Sequence, residues 1–370
     1  MRHLLLACAP LVLLGACATV ATEKVAIDPA APAAADSAYG LFLAGNAALT
    51  EGRNSEAARF LDIARSQSGD DPAVAERAFT AALLSGDIEK AAQMAPDGPN
   101  ASEPAKRLGR LTRVVAALAA GKGKEAKAVL GGDGIGFPHR AAAALLGPWV
   151  SAAAGDAEGA VVRPQLRGDS GVSYFGGLGQ AALYERAKRF DEAETNLKAI
   201  TAGASPSDIA VAAYGGFLER RGRRPEALAL YDAALQRNPN NLTIKAARAR
   251  AGAGKSPPPV TSIKEGAALA LLAPAATMIS GRQEQVALAY LRLALAKNQG
   301  WILATDDRQC RRLAEKEIGV DRITGTVGLL SEAIESDLLT IAEADHLLVL
   351  LEQENFRVKL KSFREMRGEP

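Results

Sequence analysis

Between residues 37 and 297, apolar and small residues return every three or four positions, in runs broken by short polar or glycine-bearing turns. That period puts them on one stripe of a helix. The clearest window is Asp208–Asn241, 34 residues long. Tyr214-Gly215 sits in a first helix and Gly222 falls at the turn. Ala227, Tyr231 and Ala234 line one face of a second helix, and Pro239 closes the unit. The window before it, Tyr174–Ser207, places Tyr184, Phe190, Ala193, Leu197 and Ile200 at matching offsets. Fainter copies surround these two. Gly45, Gly52, Ala57, Leu61, Ala64 and Pro72 keep the frame in one, Gly86 and Ala91 in a shortened one, and Gly109, Gly121, Ala126 and Leu130 in another. Residues 137–173 predict one or two further helices with one apolar face. Downstream, Gly281, Ala287, Tyr290 and Leu293 keep the frame once more, and the Gly/Pro-rich stretch Ala251–Thr261 predicts a loop before them. The expected class is all-α, because each hairpin leaves an apolar stripe that only a neighbour can cover.

The two clear windows resemble the tetratricopeptide repeat, in which small residues sit where two helices touch and large ones fill the gaps. The resemblance covers residues 37–297. It implies an α-solenoid of helical hairpins, a right-handed superhelix whose concave side takes a protein or peptide ligand. Residues of the first helix in each unit would line that groove. The candidates are Tyr174, Tyr184, Tyr214 and Phe217, with Arg220 and Arg221 from the cationic cluster that flanks Gly222.

The two ends of the chain break the pattern. At the start, Arg2 and His3 precede an apolar run, Leu4–Leu14, that ends in Leu14-Gly15-Ala16-Cys17. The run is too short to span a bilayer and reads as an export signal. Its ending resembles the bacterial lipobox. That resemblance implies a lipoprotein signal peptide over residues 1–16, acylation of Cys17, and outer-membrane sorting facing the periplasm, since Ala18 rather than Asp follows the cysteine. Residues 17–36 are small, polar and Pro-containing, as a flexible tether between lipid and body would be. With Cys8 lost and Cys17 acylated, only Cys310 remains, so no internal disulfide is expected.

Residues 298–370 alternate short Ile/Thr-bearing runs with helical ones, which predicts a small α/β or helical segment. The stretch from Ala304 to Ala333 resembles the end of a PIN-type nuclease domain, where a strand ending in Thr-x-Asp leads into a helix and then a second strand. By that match Asp307, with Asp306 beside it, would be a divalent-metal ligand. The family's earlier acidic residues have no counterpart in the Ala-rich repeats. A remnant capping the array is therefore expected, with a metal-dependent nuclease as the alternative.

Composition narrows the function further. Lys+Arg number 44 against 42 Asp+Glu, a formal net charge of +2, so no electrostatic footprint for nucleic acid is expected. Aromatics are 5% of a chain rich in Ala, which suits closely approaching helices. With only His3, His139 and His346, a multi-histidine metal site is ruled out. The string Gly168-Asp-Ser-Gly171 echoes a serine-protease nucleophile, but no base or orienting partner accompanies it. Gly131–Gly136 lacks the Lys-Ser/Thr of a phosphate loop. The sequence thus points to a non-enzymatic scaffold with no cofactor and no catalytic residues, a protein or peptide partner, and a membrane contact through lipid alone.

Overall fold

The computed structural model describes residues 37–69, 71–202 and 206–296, and beyond them 303–304, 323–324, 326–335, 339–353, 360 and 362–364. Among these the chain is almost wholly helical. Thirteen helices come first: α1 (Ala38–Thr50), α2 (Asn54–Ser68), α3 (Pro72–Ser85), α4 (Ile88–Gln93), α5 (Glu103–Ala119), α6 (Gly123–Gly131), α7 (Arg140–Ala153), α8 (Ala157–Ala160), α9 (Ser170–Arg186), α10 (Phe190–Thr201), α11 (Asp208–Arg220), α12 (Arg224–Arg237) and α13 (Leu242–Gly252). A second group is α14 (Ile263–Ser280) and α15 (Glu284–Leu295). The tail holds strands β1 (Leu303–Ala304) and β2 (Ile323–Thr324), paired in parallel, then α16 (Thr326–Glu335) and α17 (Ile341–Gln353).

One local device recurs. Of the ten described residues with positive φ, two are Gly69 and Gly168, and the other eight stand at positions 52, 86, 121, 155, 188, 222, 254 and 282, spaced by 34, 35, 34, 33, 34, 32 and 28 residues. At each of them the next residue's N–H donates to the carbonyl five residues back, at 2.8–3.1 Å: Arg53 to Ala48, Asp87 to Ala82, Lys122 to Ala117, Asp156 to Ser151, Arg189 to Tyr184, Arg223 to Leu218, Lys255 to Arg250 and Gln283 to Met278. This bond satisfies an orphan carbonyl of the helix and reverses the chain. Six of the eight residues are glycine, for which φ > 0 is unstrained, and the others are Lys188 and Arg282. The faint units therefore keep the same frame as the clear ones. Residues 137–173 form one unit turning at Gly155, with a second helix of only four residues.

Packing follows the turns. Each helix from α1 to α7 touches its successor, and so does each from α9 to α12. The first helices α1, α3, α5, α7 and α9 also touch in succession. Small residues allow the crossings. A Cβ on Gly45 would lie 2.5 Å from Leu61 Cγ, and one on Gly123 would lie 2.1 Å from the Ala153 carbonyl oxygen. One core runs through α1–α7 and α9, and a second binds α9–α13 around Phe217, Tyr231 and Ile244. The tail has a small core of its own, in which Leu330, Ile334, Leu348 and Phe363 meet.

The pair α14–α15 departs from the sequence-based expectation of one further stacked unit. It lies against α7, α9 and α3 rather than continuing on α13, and its side chains belong to the first core. The expected loop starts two residues later and ends one residue later, since α13 runs to Gly252 and residues 253–262 form the connection.

Two substitutions test this account. Gly215 abuts the buried Tyr231 ring, where a Cβ would come 2.3 Å from Cζ. Gly215→Ala is expected to lower stability by about 1–3 kcal/mol in urea denaturation, the usual cost of overpacking. Lys188→Gly, which relieves the left-handed backbone, is expected to raise it by about 1 kcal/mol.

Candidate functional site

The face made by the first helices is where a groove ligand is expected, and α14–α15 covers the part of it made by α3, α7 and α9. Trp149 on α7, 4% exposed, is the anchor. Two glycines give its indole room. A Cβ on Gly179 of α9 would lie 3.2 Å from Nε1, and one on Gly266 of α14 would lie 2.1 Å from Cη2. His139, just before α7, is 3% exposed, and its Nδ1 shares a 2.7 Å hydrogen bond with the hydroxyl of the fully buried Tyr290 of α15. The two rings meet edge to face, with centroids 5.7 Å apart. Burial, and secondarily the nearby Arg107 guanidinium, push the imidazole down to about 4, so it is neutral at pH 7. Arg292, two residues beyond Tyr290, is buried against Gly86, whose φ of 92° marks the α3–α4 turn. Between hairpin and array lies a small, partly open apolar pocket of about 40 Å³, lined by Val115, Leu118, Leu146, Ile263, Leu271 and Leu293.

The connection 253–262 is a strap that crosses the turn ends of α11 and α9. Arginines hold its carbonyls: Arg224 Nη2 donates to Gly254 at 3.4 Å, Arg220 Nη1 to Pro258 at 2.8 Å, and Arg186 Nη1 to Thr261 at 3.4 Å. Pro258 rests on Gly216, where a Cβ would come 3.3 Å from its Cγ. The strap ends in a capping box. The Ser262 N–H donates to Glu265 Oε2 at 2.7 Å and the Glu265 N–H to Ser262 Oγ at 3.2 Å, which starts α14.

The residues singled out in the sequence are placed as follows. Tyr174 shares a hydroxyl–hydroxyl hydrogen bond with Ser207. Tyr184 is half-buried, with the Arg189 guanidinium 4.7 Å from its ring centroid. Tyr214 donates to Glu194 Oε1 at 3.1 Å, and Glu194 is held at about 2, chiefly by Arg223. Phe217 is 1% exposed and packs in the second core, so it is reassigned from ligand contact to core. Arg220 grips the buried Glu185 through Nε and Nη2, each at 2.7 Å, as well as the strap. Arg221 covers the Phe190 ring at 3.7 Å. The structure brings Arg220 and Arg221 together with Arg186, Lys188, Phe190 and Val260 around an open cleft of about 390 Å³. Cys17, Asp306 and Asp307 lie outside the described residues.

Trp149, His139, Gly266, Tyr290 and Arg292 were not proposed as site residues from the sequence. Their one sequence signal is a glycine inside the apolar run of α14, which disfavours a helix unless something needs the space. Among the described residues no helix is long and apolar enough to cross a membrane, and no group of three or more His, Cys, Asp or Glu could hold a metal ion. Compared with known protein families, curated proteins and solved structures, the chain gave no match.

The buried histidine sets a pH dependence. In the unfolded chain His139 takes a proton near its ordinary value of 6.5, and in the folded chain only near 4. The unfolded state therefore binds more protons between these values, and stability falls as pH drops through that window. The expected loss from this group is about 3 kcal/mol between pH 6.5 and 4. Urea titrations at stepped pH should show it, and His139→Gln should flatten it.

Proposed function

We propose that this chain is an exported lipoprotein, anchored in the outer membrane through Cys17 and facing the periplasm. It acts as a non-enzymatic scaffold that binds a protein or peptide through a tetratricopeptide-like array, in pilus, secretion or envelope assembly. The observation that supports the array is the same left-handed turn at eight positions, seven of them 32–35 residues from the one before or after. Such units stack into extended faces suited to other chains. The open cleft at the turn ends of α9 and α11, where Arg220 and Arg221 stand beside Arg186, Lys188 and Phe190, is the principal binding surface. The anchor rests on the order of charge, apolar run, small residues and Cys17 in the sequence.

Two measurements test this reading. Cells fed an alkyne fatty acid should label the wild-type protein and leave Cys17→Ser unlabelled, and an unlabelled wild type rejects the anchor. In vivo photo-crosslinking from probes around the Arg220–Arg221 cleft should give a discrete adduct with one envelope protein, which a body without a ligand would not.

A second reading gives residues 298–370 a PIN-type nuclease activity. The parallel pairing of β1 with β2, followed by α16, favours it. Under this reading, Asp307→Asn abolishes a divalent-metal-dependent RNase activity. A wild type inert with Mg²⁺ and Mn²⁺ counts against it.

A further inference from the structure

The side chains that face the cleft at the turn ends of α9 and α11 are unequal in charge and in what they already do. Four cations, Arg186, Lys188, Arg220 and Arg221, line it beside a single carboxylate, Glu185. Arg220 is fully engaged: its Nε and Nη2 hold Glu185 and its Nη1 holds the Pro258 carbonyl, so it cancels the one negative charge. The acids of the neighbouring turns are taken by other bases, Glu192 by Arg189 and Glu194 by Arg223 and Lys198. Among the described residues, Arg186, Lys188 and Arg221 stand in no ion pair. All three are exposed, so the cleft keeps an excess of three positive charges at an open edge.

Two of these cations are held in ways the fold itself does not require. In the row α1–α13 every residue with left-handed φ is glycine except Lys188, whose φ is 61°. A side chain there costs stability that glycine would recover, and residues kept in such conformations concentrate where the side chain has a task. The Arg221 guanidinium carbon lies 3.7 Å from the centroid of the Phe190 ring, and none of its guanidinium N–H groups has an acceptor among the described residues. Stacking restrains the guanidinium, so little side-chain freedom is lost when its planar fork meets a carboxylate. Phe190 and Val260 add an apolar wall to the cleft. That wall suits a carbon side chain and offers nothing to a phosphate chain.

We propose that this cleft takes an acidic peptide segment of the partner, with carboxylates on Arg186, Lys188 and Arg221 and an apolar side chain against Phe190 and Val260. This rests on the scaffold reading and names the chemistry of its ligand. Arg220 is a positioning residue. It cancels the Glu185 charge that would repel the ligand, and it holds the strap that carries Val260. The non-glycine residue at this one turn then has a reason, because stability is given up there for a charge that faces the partner. The attraction acts at an exposed edge and is therefore screened by salt.

The test uses the full chain and a fluorescent peptide, Glu-Glu-Leu-Glu-Glu with both ends blocked, followed by anisotropy. Binding is expected at low salt and should fade as salt is raised. Lys188→Gly and Arg221→Gln should each weaken it about fivefold, and Lys188→Arg should keep it. Lys188→Gly raises stability at the same time, so its loss of binding is not a loss of fold. Lys122→Gln makes the same charge change at an exposed residue beside the turn Gly121 and should leave binding as it was. A peptide with Gln in place of every Glu should not bind. Failure of the acidic peptide to bind at low salt overturns the proposal, as does equal binding of the Gln peptide. So does unchanged affinity in Lys188→Gly or Arg221→Gln, or an equal loss in Lys122→Gln. Dextran sulfate bound as tightly, and lost in the same variants, overturns it too, since the cleft would then accept any polyanion. Photo-crosslinking from the cleft is scored separately: an adduct that excess acidic peptide leaves undiminished defeats only this inference, and peptide binding without any adduct defeats the scaffold reading.

Discussion

The constraint on which the rest depends is the left-handed residue that ends each first helix. With φ near +70° at Gly52, Gly121, Gly155, Gly222 and Gly254, the next N–H reaches back five residues and the chain reverses within three. Because these turns recur at nearly constant spacing, the first helices up to α13 follow one another side by side, and only α14 leaves the row. Small residues at the crossings then let backbones approach. Gly123 against the Ala153 carbonyl and Gly215 against Tyr231 leave no space for a methyl group. Alanine abundance and aromatic scarcity are thus two sides of one packing solution, in which a unit needs only one or two large rings, as Phe217 and Tyr231 are in theirs.

The charged residues at the turns have work inside the molecule. Arg220 neutralises the buried carboxylate of Glu185 and holds the strap with the same guanidinium. A buried carboxylate is costly unless it is paired and hydrogen-bonded, so the ion pair and the strap support each other. Glu219 shows the same economy of partners. Its side chain is fully buried, and it accepts from the Tyr231 hydroxyl at 2.8 Å and from Arg250 at 2.6 Å. That triad ties α11, α12 and α13 into the second core, next to the point where the strap leaves.

The helices and their pairing were legible from local pattern, since 3.6-residue periodicity and a turn glycine are local quantities. The unit at 137–173 was blurred because α8 is four residues long and leaves no periodic signal of its own. The return of α14–α15 was not legible at all. Its stripe has the period of a stackable unit, and nothing within it says which face it will cover. The deciding contacts, Tyr290 with His139 and Gly266 with Trp149, join residues more than a hundred positions apart. Arg220 and Arg221 were noticed for their charge, but the carbonyls and the aromatic ring they engage belong to other elements. The lipid anchor and the carboxylates at 306 and 307 rest on sequence alone.

Contact between α15 and α3 changes the kind of object this array is. A row of hairpins that meet only their neighbours can gain or lose units from either end, with stability adding unit by unit. Here one of the last helices touches the third, which closes that row on itself across roughly two hundred residues. Closing so long a loop is slow, because the entropy must be lost before the contact rewards it. The early units of a newly made chain therefore wait with their first helices uncovered until residues near 290 emerge, and the part made late completes the core begun early.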